Sequence, residues 1–176
     1  MSSTLRPACA IPAGIVLPLM LTACSGQLSP TQPSTVTPAL PASFTIEAEG
    51  GTGDGVLRER SRASQGRTVH LAPGEKRSWT FRVIADSTPY VLAVTYSNGQ
   101  EGPNETLHVS VDGTPVATFL NRDSGDAIDG WNLFVTDPAG ESTLGPGSHT
   151  LTLESSGGDG CVEIDLFTVK AASSSK

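Results

Sequence analysis

Aromatic side chains are scarce in this chain, with two Trp, two Tyr and five Phe among 176 residues. No amphipathic run of helical length stands out either, while Gly (19) and Pro (13) are plentiful. That profile suits an all-β domain with many turns. Basic charge is also short: 11 Lys and Arg face 18 Asp and Glu, a formal charge of −7. A nucleic-acid partner calls for a basic patch, so that class is set aside, whereas a metal or a neutral ligand is not. Neither His-Glu-x-x-His nor a Gly-x-Ser-x-Gly elbow occurs. Asp123-Ser124-Gly125 sits between Arg122 and Asp126 without a matching upstream histidine segment, and the chain reads as non-enzymatic.

Cysteine is limited to Cys9, Cys24 and Cys161. Arg6 supplies a small positive region, and Ala10 to Leu21 is apolar but too short to span a membrane as a helix. It ends in Leu21-Thr22-Ala23-Cys24, which resembles the bacterial lipobox. That resemblance implies a signal peptide over 1–23, lipid on Cys24, and an extracytoplasmic protein anchored to the cell envelope. Ordinary secretion with cleavage nearby is the alternative. Cys161 then remains alone, so an intrachain disulfide is excluded and the core or a metal must stabilise the domain. Residues 24–43, rich in Ser, Thr and Pro and without charge, read as a tether. Residues 171–176 read as a frayed tail.

Between them, apolar alternation marks short strands at Arg67–Leu71, Arg77–Ile84, Tyr90–Tyr96, Leu107–Val111, Val116–Leu120, Trp131–Val135, His149–Leu153 and Cys161–Val169. Asp112-Gly113 is a hairpin signal, and Thr52 to Ser64 reads as a polar loop. Eight or nine such strands predict an antiparallel sandwich.

The stretch Phe44 to Gly51, read as a strand, puts Thr45, Glu47 and Glu49 on one face. Two carboxylates so placed repel unless a cation lies between them, or they are simply solvated on an edge strand. Asp165 is a third acid, flanked by Ile164 and Leu166-Phe167, where a lone carboxylate is costly. Arginines such as Arg58 or Arg67 offer one way to satisfy these acids, and calcium, which takes several oxygen ligands, offers another.

Taken in order, Ile46-Glu47-Ala48-Glu49, Tyr96-Ser97-Asn98-Gly99, Val109 to Gly113, Gly130-Trp131, Leu144 to Leu151 and Ile164-Asp165 resemble the family 6 and family 35 carbohydrate-binding modules of bacterial glycoside hydrolases. The resemblance covers residues 44–170. It implies a jelly-roll β-sandwich of two antiparallel sheets whose first and last strands lie together around a structural calcium. Glu47, Glu49 and Asp165 match the acidic ligands, with a backbone carbonyl near Arg67 as a further one. It also implies non-catalytic binding of a polysaccharide or oligosaccharide by a monomer.

A sugar site wants an aromatic platform and paired hydrogen-bonding groups. By position the resemblance marks Trp131, His70, Asn98 and Glu163. Each has a plainer alternative: Trp131 as core beside Trp79, His70 as an ordinary strand residue, Asn98 as a turn former. Glu163 stands where the family often has Asn, and a carboxylate there repels acidic sugars unless a cation intervenes. Asp123, Asp126 and Asp129 are either such a cation's ligands or solvated charge. A lipoprotein that keeps the sandwich for protein contacts and has lost the sugar site is the competing reading.

Overall fold

A computed structural model describes residues 43–84, 88–99, 102–125, 127–158 and 160–172, the side chains of Ala127 and Ile128 excepted. The signal segment, Cys24 and all but the last residue of the tether lie outside the described residues, as does Asp126.

Two antiparallel sheets form the sandwich, and its order is that of a jelly roll. The first contains β3 (Val56–Glu59), β4 (Arg67–Leu71), β11 (Val162–Ala171), β6 (Thr88–Ser97) and β9 (Val135–Leu144) in that order, with β1 (Ser43–Glu47) also on β11. The second is β2 (Thr52–Gly53), β5 (Lys76–Val83), β10 (Gly147–Ser156), β7 (Thr106–Val111) and β8 (Thr114–Leu120). Alternation sends Tyr90, Leu92, Val94 and Tyr96 of β6 inward against Trp79, Leu151 and Leu153 of the facing sheet. Each such side chain contributes about 1.5–3 kcal/mol when removed from water. Trp79 donates its indole N–H to the Ala48 carbonyl at 2.9 Å and meets Phe167 edge-on at 4.8 Å. Trp79 is therefore core without needing Trp131 beside it.

The hairpin at Asp112-Gly113 forms as expected, with φ of 51° and 77° at the two residues. Three boundaries differ from the sequence reading. The opening strand stops at Glu47, and Ala48–Gly50 is a 3-10 turn, which takes Glu49 off the strand face. The expected loop at Thr52–Ser64 contains β2 and the exposed edge strand β3. The expected tail begins later, since Ala171 pairs with Tyr90 and the Ala172 N–H donates to the Pro89 carbonyl. β9 carries Pro138 within a strand, which is tolerated because, among the described residues, β9 pairs only with β6 and leaves its other edge unpaired.

The last strand positions the site. On one side β11 pairs with β4 through Val162–Ile164, then with β1 through Leu166–Lys170. Asp165 falls in the gap between these partners, where the register with β6 also shifts. A bulge at this point re-aims one side chain.

Candidate functional site

Asp165 is 4% exposed and accepts the Ser64 N–H at 2.9 Å. Burial raises its pKa, the Ser64 bond opposes this, and the negative charges of Glu47 and Glu49 raise it further. The three acids expected to converge thus lie within electrostatic reach of one another. Ser64 also donates its hydroxyl to Glu47. One oxygen of Glu49, Oε2, is buried with no hydrogen-bond partner. Neither Arg58 nor Arg67 pairs with these acids among the described residues.

Carboxylates without a cation, one oxygen of them unpartnered, make a donor set that suits a hard divalent ion. Among the described residues, however, no three His, Cys, Asp or Glu side chains are grouped closely enough to hold a metal. The donor chemistry is of the kind calcium takes, and Glu47 and Asp165 are each bonded to Ser64 in this arrangement. Ser64, in the loop between β3 and β4, is in contact with two of the acids.

Two residues further back on the same strand, Glu163 is 1% exposed. Arg60 holds it through Nε and Nη2, both at 2.6 Å, and Thr68 donates to it at 2.8 Å. Burial pushes the carboxyl pKa up, but the contacts of His70, Arg60 and Thr68 outweigh it and hold the group below its usual range. His70 Nδ1 is 3.5 Å from the carboxylate, long for a strong hydrogen bond. The register explains the grouping: Glu163 lies opposite His70 on β4 and Ser97 on β6. Glu163 is thus an internal ion-pair partner and does not face a ligand.

Trp131 follows the short helix α1 (Ala127–Gly130) in a turn that precedes β9. Its side chain stays partly exposed, 6.2 Å from the His70 ring and 5.7 Å from the Arg60 guanidinium carbon. Gly130 has no room for a side chain, because a Cβ there would fall 2.2 Å from the Gly125 carbonyl oxygen and 2.7 Å from Gly99 Cα. That close approach sets where Trp131 emerges. The residues flanking it in the chain border a cleft of about 460 Å³ lined by Ser61, Arg62, Asp129, Asn132 and Leu133.

Asn98 differs from expectation. It is 1% exposed, and its amide donates to Glu105 at 3.2 Å. Its backbone binds Ser124 in both directions, and Ser124 Oγ in turn donates to the Gly130 carbonyl at 2.9 Å. Asn98 therefore anchors the loop that carries Trp131 and makes no open surface of its own. The structure brings Trp131, His70 and Glu163 together and buries Asn98 against Glu105 and Ser124.

The sequence reading passed over Arg60 and Asn132. The available signal was the arginine-rich run Arg58 to Arg67, which lies in the hairpin between β3 and β4.

No family model and no curated protein matches the chain. Among solved structures, a native family 35 carbohydrate-binding module from Clostridium thermocellum superposes with a TM-score of 0.63 at 19% identity, over 74% of this chain and 98% of that one. The fold is that of a carbohydrate-binding module. A family 6 module of a laminarinase from Zobellia galactanivorans gives 0.56 at 17% identity, over 73% of this chain and 98% of that one. An exo-β-1,3-galactanase from Phanerochaete chrysosporium, solved with galactose, gives 0.59 at 22% identity over 72% of this chain. This chain spans only 29% of that enzyme, whereas both binding modules are covered nearly end to end.

Proposed function

We propose that this protein binds carbohydrate without catalysis, at the bacterial cell surface, through a β-sandwich stabilised by calcium. One observation carries the reading. A partly exposed indole, Trp131, stands beside His70, and its chain neighbours Asp129 and Asn132 line a cleft together with Ser61, offering a carboxylate, an amide and a hydroxyl. The apolar face of a sugar ring stacks on such an indole, and its hydroxyls take paired bonds from amides and carboxylates. Likeness to binding modules that the chain matches end to end supports the same reading.

Calcium would be held by Glu47, Glu49 and Asp165, and bound there it would remove their repulsion and tie the first strand to the last. Lipid on Cys24 would hold the domain at the envelope, so a fatty-acylated product that disappears in Cys24→Ala is the expected labelling result. We take the protein to act as a monomer, with a polysaccharide or oligosaccharide as partner and no nucleic acid.

The second reading, a protein-interaction lipoprotein that has lost the sugar site, draws on one fact. Asn98 and Glu163 are both buried and bonded to other side chains of the domain. A glycan array in calcium, with Trp131→Ala as control, separates the two. Binding that Trp131→Ala abolishes supports the sugar site. Silence of the native protein across the array favours the second reading.

A further inference from the structure

A buried carboxylate with no cation beside it lies at the start of β7. Glu105, which directly precedes that strand, is 0% exposed. Among the described residues no Lys, Arg or His forms an ion pair with it. Its contacts are N–H donors: Asn121 Nδ2 at 2.9 Å, Asn98 Nδ2 at 3.2 Å and the Gly160 N–H at 3.3 Å. The backbone at Gly158 closes over Oε1 so tightly that a Cβ there would fall 2.6 Å from it. These donors occupy the lone pairs but bring no positive charge, and an uncompensated charge so placed is costly. Asn121 is 1% exposed, its Nδ2 is taken up by Glu105, and its Oδ1 is buried with no partner. The Oγ of Ser155, a fully buried residue, is unpartnered as well. On β10, Ser155 stands opposite Leu107, two residues along from Glu105 on the same inward face.

We infer that Glu105 and Asn121 bind one alkali cation, sodium or potassium, inside the sandwich. Such ions take carboxylate, amide and hydroxyl oxygens, the groups gathered here. Charge balance chooses the valence. One carboxylate among neutral oxygens leaves one net negative charge, which a monovalent ion cancels. A divalent ion would reverse the sign and leave a buried charge of equal size. A half-turn of the Asn121 amide brings Oδ1 to the carboxylate, and an ion between the two oxygens turns their repulsion into attraction. Ser155 Oγ offers a third oxygen. A buried water would bond Asn121 Oδ1 equally, but it adds no charge and does not distinguish one salt from another. The site is separate from Glu47, Glu49 and Asp165, where three carboxylates call for a divalent ion, and it does not depend on the sugar-site reading.

The test follows thermal melts of the full chain in chelator, with sodium, potassium or choline chloride at one ionic strength of about 0.1 M. Choline carries the same charge and is too large to enter. The melting temperature should be several degrees higher in sodium or potassium than in choline, and the rise should saturate as the favoured ion is titrated in. Which ion gives the larger rise identifies the occupant. Glu105→Gln, neutral and of the same shape, should melt alike in all three salts. Asn121→Asp adds a second carboxylate, so calcium in place of chelator should stabilise it more than it stabilises the native protein. Equal melting of the native protein in the three salts overturns the inference, as does a sodium or potassium preference that persists in Glu105→Gln. A calcium rise of the native protein that vanishes in Glu105→Gln overturns it in favour of a divalent ion. Where Glu105→Gln fails to fold, Asn121→Asp takes its place, and a calcium response no larger than the native one overturns the inference.

Discussion

Arg60 grips Glu163 with two bonds of 2.6 Å, and the same guanidinium carbon lies 5.7 Å from the Trp131 ring. One side chain therefore joins the buried acid of the last strand to the partly exposed indole of Trp131. Replacing Arg60 strands a carboxylate that is 1% exposed. Breaking a buried pair costs about 3–5 kcal/mol, and the partial exposure of Arg60 points to the lower end, about 3 kcal/mol. Urea unfolding of Arg60→Met should show that loss, and the double variant Arg60→Met with Glu163→Leu should recover most of it. The pH limb follows from the lowered pKa of Glu163. Its contribution is present above the unfolded value of about 4.3 and disappears as pH falls through the lower folded value. In Glu163→Leu that acid limb should flatten. An Arg60→Met protein as stable as the native one would contradict the structural role.

Asp165 gives the opposite sign. Its pKa is raised by burial and by Glu47 and Glu49. In chelator, stability from the protonated acid is complete below the unfolded value and is lost as pH rises through the higher folded one. The metal-free protein should therefore melt at higher temperature in mild acid than at neutral pH. Calcium, if held by these acids, would need all three carboxylates ionised, so its stabilisation should grow over the same interval. At a hundredfold excess over its dissociation constant such binding would add about 2.7 kcal/mol, several degrees in a domain of this size. A melt that ignores both calcium and chelator at pH 7 removes the metal from the account.

What was legible in the sequence follows from period. Arg67–Leu71 forms β4 as read, because Val69 and Leu71 alternate with polar neighbours and a turn bounds each end. The opening acids were read on one strand face, since nothing in Glu47-Ala48-Glu49 announces that the ladder ends at Glu47. β9 was missed from Thr136 onward, because Pro138 and Gly140 look like a loop unless the strand is known to be an edge. Glu163 was read as facing a ligand, because alternation tells which face a residue takes but not what covers that face. Here the covering is the loop carrying Arg60 and Ser64, more than 95 residues away in sequence.

His149 sits between two acceptors, with Nδ1 at 2.7 Å from an Asp112 oxygen and Nε2 at 2.8 Å from the Gly145 carbonyl. Neither partner can donate to the ring, so both ring nitrogens must carry protons, and the imidazolium is the form that fits. The Asp112 bond, followed by the Gly145 carbonyl, raises the His149 pKa. Stability from this clasp is full below the unfolded histidine value of about 6.5 and fades as pH climbs through the raised one. Its size should be about 1 kcal/mol, given that Asp112 is half exposed. His149→Gln should remove the decline that sets in as pH rises above the unfolded histidine value in a series of thermal melts, whereas a decline of equal size in that variant assigns it elsewhere.

The two tryptophans should separate stability from binding. Trp79 is 1% exposed and anchored to the Ala48 carbonyl, so Trp79→Ala should cost about 3–5 kcal/mol and leave little folded protein. Trp131 is partly exposed, so Trp131→Ala should cost about 1 kcal/mol or less while removing the stacking surface. Gly130→Ala tests the link between backbone and platform, because its new Cβ would overlap the Gly125 carbonyl and Gly99. The turn must shift to admit it, which moves Trp131 off the cleft without touching the ring. Titration calorimetry with whichever glycan the native protein binds should show a loss of at least tenfold in Gly130→Ala. Circular dichroism of that variant should retain the β-sheet signal. Native affinity in Gly130→Ala would mean that the ligand does not depend on where this turn holds the indole.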